Sequence, residues 1–150
     1  MRSFLIISLS ILAAACSGEP AAENKMADPP QMIVISKEAL EDARVAAVLL
    51  RADWCTSCKI LEPKLDVVKA QDAIDGLAHV TIDYTDRDKG ALYAAAVEIG
   101  VGEAIYKYLD GDVTTGIVLL VDLASNEVVG DLRKSLSEVE LREAMTKAAA

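Results

Sequence analysis

Histidine occurs once and cysteine three times in 150 residues, which argues against a structural zinc site at the outset. Cys16 stands in an N-terminal segment read below as an address, so Cys55, Cys58 and His79 are the nitrogen and sulfur donors left to the body of the chain. Four-coordinate structural zinc needs two ligands beyond a cysteine pair, and only His79 is on offer. Positive charge is also short. Fifteen Lys and Arg against 24 Asp and Glu give a formal charge of −9, which argues against nucleic acid as a partner and against a polybasic membrane patch. The apolar stretch Phe4 to Ala15 is too short to cross a bilayer. No proline follows Pro63, so later peptide bonds are expected to be trans, the cis form costing about 2.5–4 kcal/mol at other residues. No internal repeat is present.

What is there suits one globular domain: 53% of residues are hydrophobic and 26% charged, enough for a core without disulfide staples. The chemistry concentrates in Ala52-Asp53-Trp54-Cys55-Thr56-Ser57-Cys58-Lys59. An apolar run, Val45 to Leu50, precedes it, and a helical pattern, Ile60 to Ala73, follows. The two cysteines therefore fall on the first turn of a helix that starts where a buried strand ends. Residues at i and i+3 share a helix face, so the two sulfurs can meet in a disulfide or around a shared ligand. The helix N-terminus offers unpaired N–H groups and partial positive charge, which favour a thiolate at Cys55.

The segment resembles thioredoxin beyond its two cysteines. Trp54 before the first, Lys59 after the second and Pro63 five residues past Cys58 all stand where thioredoxins have them. Ala-Asp-Trp-Cys-x-x-Cys-Lys looks most like the C-terminal domain of the bacterial membrane thiol:disulfide interchange reductase. The likeness spans roughly residues 31–148. It implies an α/β, thioredoxin-like fold, a central mixed sheet flanked by helices, over residues 31–150. It also implies thiol:disulfide oxidoreductase activity on protein disulfides, on the reducing or isomerising side, with Cys55 attacking and Cys58 resolving. Such a protein would draw electrons from a membrane partner, since the periplasm holds no bulk reductant. No cofactor is expected.

Three departures accompany the resemblance. The buried acid that thioredoxins carry six residues before the first cysteine is Leu49 here, and the lysine accompanying it in the next strand aligns with His79. The cis-proline beside the dithiol is missing, and Thr115 or Gly116 takes its place. In the family that loop docks substrate backbone and keeps metal from the sulfurs. Two uses of His79 follow besides simple packing: a proton acceptor beneath Cys58, or a third donor with Cys55 and Cys58 in a copper-binding or metallochaperone site.

Residues 1–15 read as a signal peptide, with Arg2 as its basic start. Leu12-Ala13-Ala14-Ala15-Cys16 resembles the lipobox of bacterial lipoproteins, although the leucine stands one place early, with Ala13 in its slot. The resemblance implies cleavage before Cys16, lipidation of that residue, and a place on the periplasmic side of a bacterial membrane. Ser17 favours the outer membrane. Residues 16–30 then form the lipidated cysteine and a polar, proline-bearing tether, with a coil reach on the order of 20 Å.

Along the rest of the chain, the pattern predicts a short strand at Met32 to Ile35 and a brief helix from Lys37 to Arg44 behind Ser36. Val45 to Leu50 reads as a central strand, and Leu77 to Asp83 as the next. A helix with a stripe of Leu92, Ala95, Ala96 and Ile99 covers Ala91 to Val101. Residues 103–115 show no more than a helical turn. Gly116 to Asp122 and Glu127 to Asp131 form a hairpin over Ser125-Asn126, and Ser137 to Glu140 is a capping box opening a last helix through Lys147. Asp83, Asp86, Arg87, Asp88 and Lys89 read as a solvated loop, and Tyr93, Tyr106 and Tyr108 as helix packing.

Overall fold

The computed structural model describes residues 33–34, as backbone, and 40–150. The signal peptide, Cys16 and the tether lie outside the described residues. Of the short helix expected over 37–44, residues 37–39 also lie outside them; Leu40 and Glu41 are helical, and 42–44 are not.

Among the described residues nine elements follow in order: β1 (Ile33–Val34), β2 (Val45–Arg51), α1 (Thr56–Lys69), β3 (Leu77–Asp83), α2 (Lys89–Glu98), α3 (Gly102–Leu109), β4 (Ile117–Asp122), β5 (Glu127–Arg133) and α4 (Glu138–Ala149). The strands form one sheet in the order β1-β3-β2-β4-β5. β2 and β3 are parallel, with α1 as their crossover. β4 and β5 run antiparallel beyond β2, and β1 runs antiparallel beside β3. The mixed sheet with helices on both faces is a thioredoxin-like α/β fold, as the resemblance implied.

β2 explains the layering. Its residues are apolar on both faces because both are covered. Val45, Ala47 and Leu49 point to α1 and α4, packing with Leu61, Leu65, Leu141 and Met145. Ala46, Val48 and Leu50 point to α2 and α3, packing with Leu92, Ala96 and Ile105. Along α1 the buried residues are Cys58, Leu61, Leu65 and Val68, spaced at three and four as one helix stripe demands. Ile60 and Val67 carry the same hydrophobicity but sit about 100° off that stripe; they are 45% and 44% exposed.

Several boundaries differ from the sequence reading: α1 ends at Lys69 rather than Ala73, α2 at Glu98 rather than Val101, while β5 runs on to Arg133 and α4 to Ala149. The illegible stretch after Gly102 is an eight-residue helix, α3, whose Ala104, Ile105 and Leu109 are buried. Asp110 ends it in the left-handed conformation, φ 45°, one that Asp adopts more readily than most residues. α2 starts earlier than expected because Asp88 caps it, its carboxylate accepting from Ala91 N at 3.0 Å. The hairpin turn and the capping box are as read: Asp122 Oδ1 accepts from the Ser125 amide at 2.8 Å, and Ser137 and Glu140 bond reciprocally. Among the described residues no helix is long and apolar enough to cross a membrane.

Candidate functional site

β2 and β3 end side by side, Arg51 opposite Asp83, and the dithiol lies just beyond β2. Cys55 is the N-cap of α1, with extended backbone, and its Sγ accepts from the Cys58 amide at 3.1 Å. A cysteine thus does what serine or aspartate does at most helix starts: it satisfies an amide left free by the first turn. Cys55 and Cys58 are joined as a disulfide with their Cα atoms 5.3 Å apart. Both are buried, Cys58 more deeply at 1% exposure against 5%. The Leu50 carbonyl lies 3.9 Å from Cys58 Sγ.

The β3–α2 loop, read from sequence as merely solvated, clasps the residues before Cys55. Trp54 Nε1 donates to the Thr85 carbonyl at 2.9 Å, and the Asp53 amide donates to Thr85 Oγ1 at 3.0 Å. Tyr84 meets the Trp54 ring edge-on at 6.4 Å, and the Arg87 guanidinium lies over that ring, 4.3 Å from its centroid. Trp54 nevertheless keeps 44% of its surface open beside the disulfide. Lys59 faces solvent. Tyr93 on α2, half-buried, meets Tyr106 on α3 edge-on at 5.3 Å, a contact between helices as expected, although Tyr106 is 62% exposed; Tyr108 is 36% exposed.

Gly116 brings the loop before β4 against the dithiol. Its amide donates to the Leu50 carbonyl at 2.8 Å. A Cβ on it would lie 2.5 Å from Ser57 Cβ, 3.1 Å from Cys55 Sγ and 3.2 Å from the Cys58 amide nitrogen. Its φ is +75°, and among the described residues no peptide is cis. Thr115, beside it, is half-buried. A proline ring, locked near −65°, cannot adopt the Gly116 backbone. The loop therefore reaches the sulfurs by omitting a side chain rather than by a cis-proline.

His79 belongs elsewhere. It pairs with Ala47, three residues before Leu50, so it lies roughly 10 Å back along the sheet from the end that meets Cys58. Burial pushes its pKa down to about 4, helped by the charge of Lys69, the last residue of α1. That end of α1 is about 16 Å along the helix from Cys58. Neither the proton acceptor beneath Cys58 nor the third donor of a Cys55–Cys58–His79 set survives this placement, and among the described residues no three or more His, Cys, Asp or Glu side chains converge as metal ligands. Across β3 from Leu49 stands Thr81, not His79.

The sequence reading missed an ionic cluster next to the dithiol. Arg51 pairs with Asp53 at 2.6 Å, Glu62 at 3.2 Å and Asp83 at 2.5 Å. Burial works against the Arg51 charge, but hydrogen bonds to Asp53 and Glu62 and the nearby carboxylates outweigh it and hold its pKa above the ordinary value. Glu62 follows Cys58 by four residues on α1, one turn along the same helix face. That spacing was the available signal; the pairing with Arg51 across the β2–α1 junction was not.

No protein-family model matches the chain, and no curated protein matches it significantly. Among solved structures it is similar to Trxlp from Edwardsiella tarda EIB202, a crystal structure, at 19% identity and a TM-score of 0.47, covering 73% of this chain and 88% of that one.

Proposed function

We propose that the protein is an exported, membrane-anchored thiol:disulfide oxidoreductase acting on protein disulfides. The observation that carries the reading is the asymmetry of the pair. Cys55 sits at a helix N-cap with an amide directed at its sulfur, while Cys58 is one turn deeper and almost fully enclosed. Such an amide and the helix N-terminus stabilise negative charge on Cys55.

In the reducing direction the Cys55 thiolate attacks one sulfur of the substrate disulfide. That bond breaks, one substrate thiolate leaves, and a mixed disulfide forms. The Cys58 thiol gives up its proton and attacks Cys55 Sγ, releasing the second substrate thiolate and closing the Cys55–Cys58 disulfide. Two electrons pass to the substrate, and its two thiolates take up two protons. The Cys58 proton is taken up by the substrate thiolate released in the first step. Trp54 and the Thr115-Gly116 backbone form the docking rim, and Lys59 adds positive charge at the helix surface. The oxidised pair is recharged by a membrane electron donor.

A Cys58→Ser variant, expressed in the periplasm, should accumulate mixed disulfides through Cys55 that disappear in Cys55→Ser. Their absence would overturn the reading. A reduced chain that binds Cu(I) tightly through Cys55 and Cys58 but exchanges no disulfide would favour the copper-carrier alternative.

A further inference from the structure

The direction of β1 decides at which pole the N-terminal segment joins the fold. β1 pairs with β3 antiparallel, Ile33 opposite Thr81 and Val34 opposite Val80, whereas β2 and β3 run parallel and end together at the dithiol. Residue numbers therefore fall along β1 in the direction in which they rise along β3. The chain before Ile33 leaves the sheet toward Asp83, the pole of Trp54 and Cys55. Had β1 run parallel, it would leave at Leu77, roughly 23 Å away along a seven-residue strand.

Ile33 stands level with Thr81, two residues short of the end of β3, and two strands across from β2. Those offsets are roughly 7 Å along the strands and 10 Å across them. Trp54 leans over the same edge, its indole bonded to the Thr85 carbonyl two residues past β3. Trp54 and Ile60, 44% and 45% exposed, give this pole an open apolar surface beside the disulfide.

Sixteen residues lie between Cys16 and Ile33, and a chain of that length, read from sequence as a tether, has a coil dimension on the order of 20 Å. That is no longer than the sheet itself, so the pole of attachment decides whether the dithiol is near the bilayer or beyond the body of the domain. We propose that the anchor, taken from the functional reading above, holds the dithiol pole toward the bilayer that carries it, so that the group exchanging with Cys55 is a thiol or disulfide of a protein embedded in that same membrane.

The single tryptophan, Trp54, makes this measurable. The chain 16–150 retains every described residue. Oxidised, it has Cys16 as its free thiol and can be coupled to vesicles carrying a maleimide lipid and a dansyl-headgroup lipid. A second chain, Cys16→Ser with Ala150→Cys, is coupled through the opposite pole, where Arg44, next to the first residue of β2, donates to the Ala149 carbonyl at 2.9 Å. With the poles roughly 23 Å apart, energy transfer from Trp54 should be at least about twofold stronger when the chain is held through Cys16. Equal or weaker transfer would overturn the orientation.

After reduction, exchange with a pyridyl-disulfide lipid in the same vesicles should be several-fold faster from the Cys16-coupled chain, by the same geometry. Equal rates would overturn the membrane-embedded partner. The coupling is chemical, so failure of lipidation in the cell shows only in fractionation, and failure of disulfide exchange shows in both coupled chains alike.

Discussion

Replacing Gly116 by alanine tests the contact on which the candidate site depends. At φ +75° an L-residue costs about 1–2 kcal/mol more than glycine. The added methyl would start 2.5 Å from Ser57 Cβ and 3.1 Å from Cys55 Sγ, and overpacking of this kind costs about 1–3 kcal/mol. Together these predict a loss of about 2–5 kcal/mol. At roughly 4 °C per kcal/mol for a domain of this size, the thermal midpoint should fall by roughly 8–20 °C. The carbon beside the sulfur should also slow alkylation of reduced Cys55. The two contributions separate in the double variant with Ser57→Gly, which removes the nearer contact and leaves the backbone strain. Denaturant unfolding of the four proteins should then show a favourable coupling of about 1 kcal/mol or more. A Gly116→Ala protein that melts within about 2 °C of the parent and alkylates at the parent rate would refute the reasoning, since the loop would not lie against the dithiol.

Cys55 should alkylate before Cys58, with a half-maximal rate below about pH 8.5; Cys58 reacting first would remove Cys55 as the attacking sulfur. His79 should make the protein acid-sensitive. Its folded pKa of about 4 lies below the ordinary 6.5, so its contribution is complete above pH 6.5 and is lost as pH falls toward 4. The loss is at most about 3 kcal/mol, less what solvent screens. In His79→Val the pH 7-to-4 decline in unfolding free energy should shrink, and an unchanged decline would contradict burial of a neutral imidazole. Arg87→Ala should cost about 0.5–1 kcal/mol and raise quenching of Trp54 fluorescence by acrylamide, whereas unchanged quenching would mean that the guanidinium does not cover the ring. Cys16→Ser should release the protein from the membrane fraction or block its processing; unchanged attachment would contradict lipidation there.

The dithiol was legible because its meaning is local. Two cysteines three apart after an apolar strand-length run must occupy one helical turn, whatever the rest of the chain does. β2 was legible for the same reason, since six consecutive apolar residues can be buried only with both faces covered. The caps at Ser137 and the turn after Asp122 are likewise contacts between near neighbours in sequence. What failed depended on register and distance. Alignment by residue type placed His79 beneath Cys58, but strand pairing put it opposite Ala47, at the far end of α1. The charges from Asp83 to Lys89 look solvated as a string of letters. Only the tertiary structure lays Arg87 on Trp54 and joins Asp83 and Glu62 through Arg51; the Asp88 cap on Ala91 is a local contact that the sequence reading overlooked. The missing proline was visible in the sequence; that Gly116 takes its place with a left-handed backbone was not, because the need for a bare Cα arises from Ser57 and Cys55 on another element. The direction of β1 is likewise silent in two apolar residues, since parallel and antiparallel pairing ask the same side chains of an edge strand.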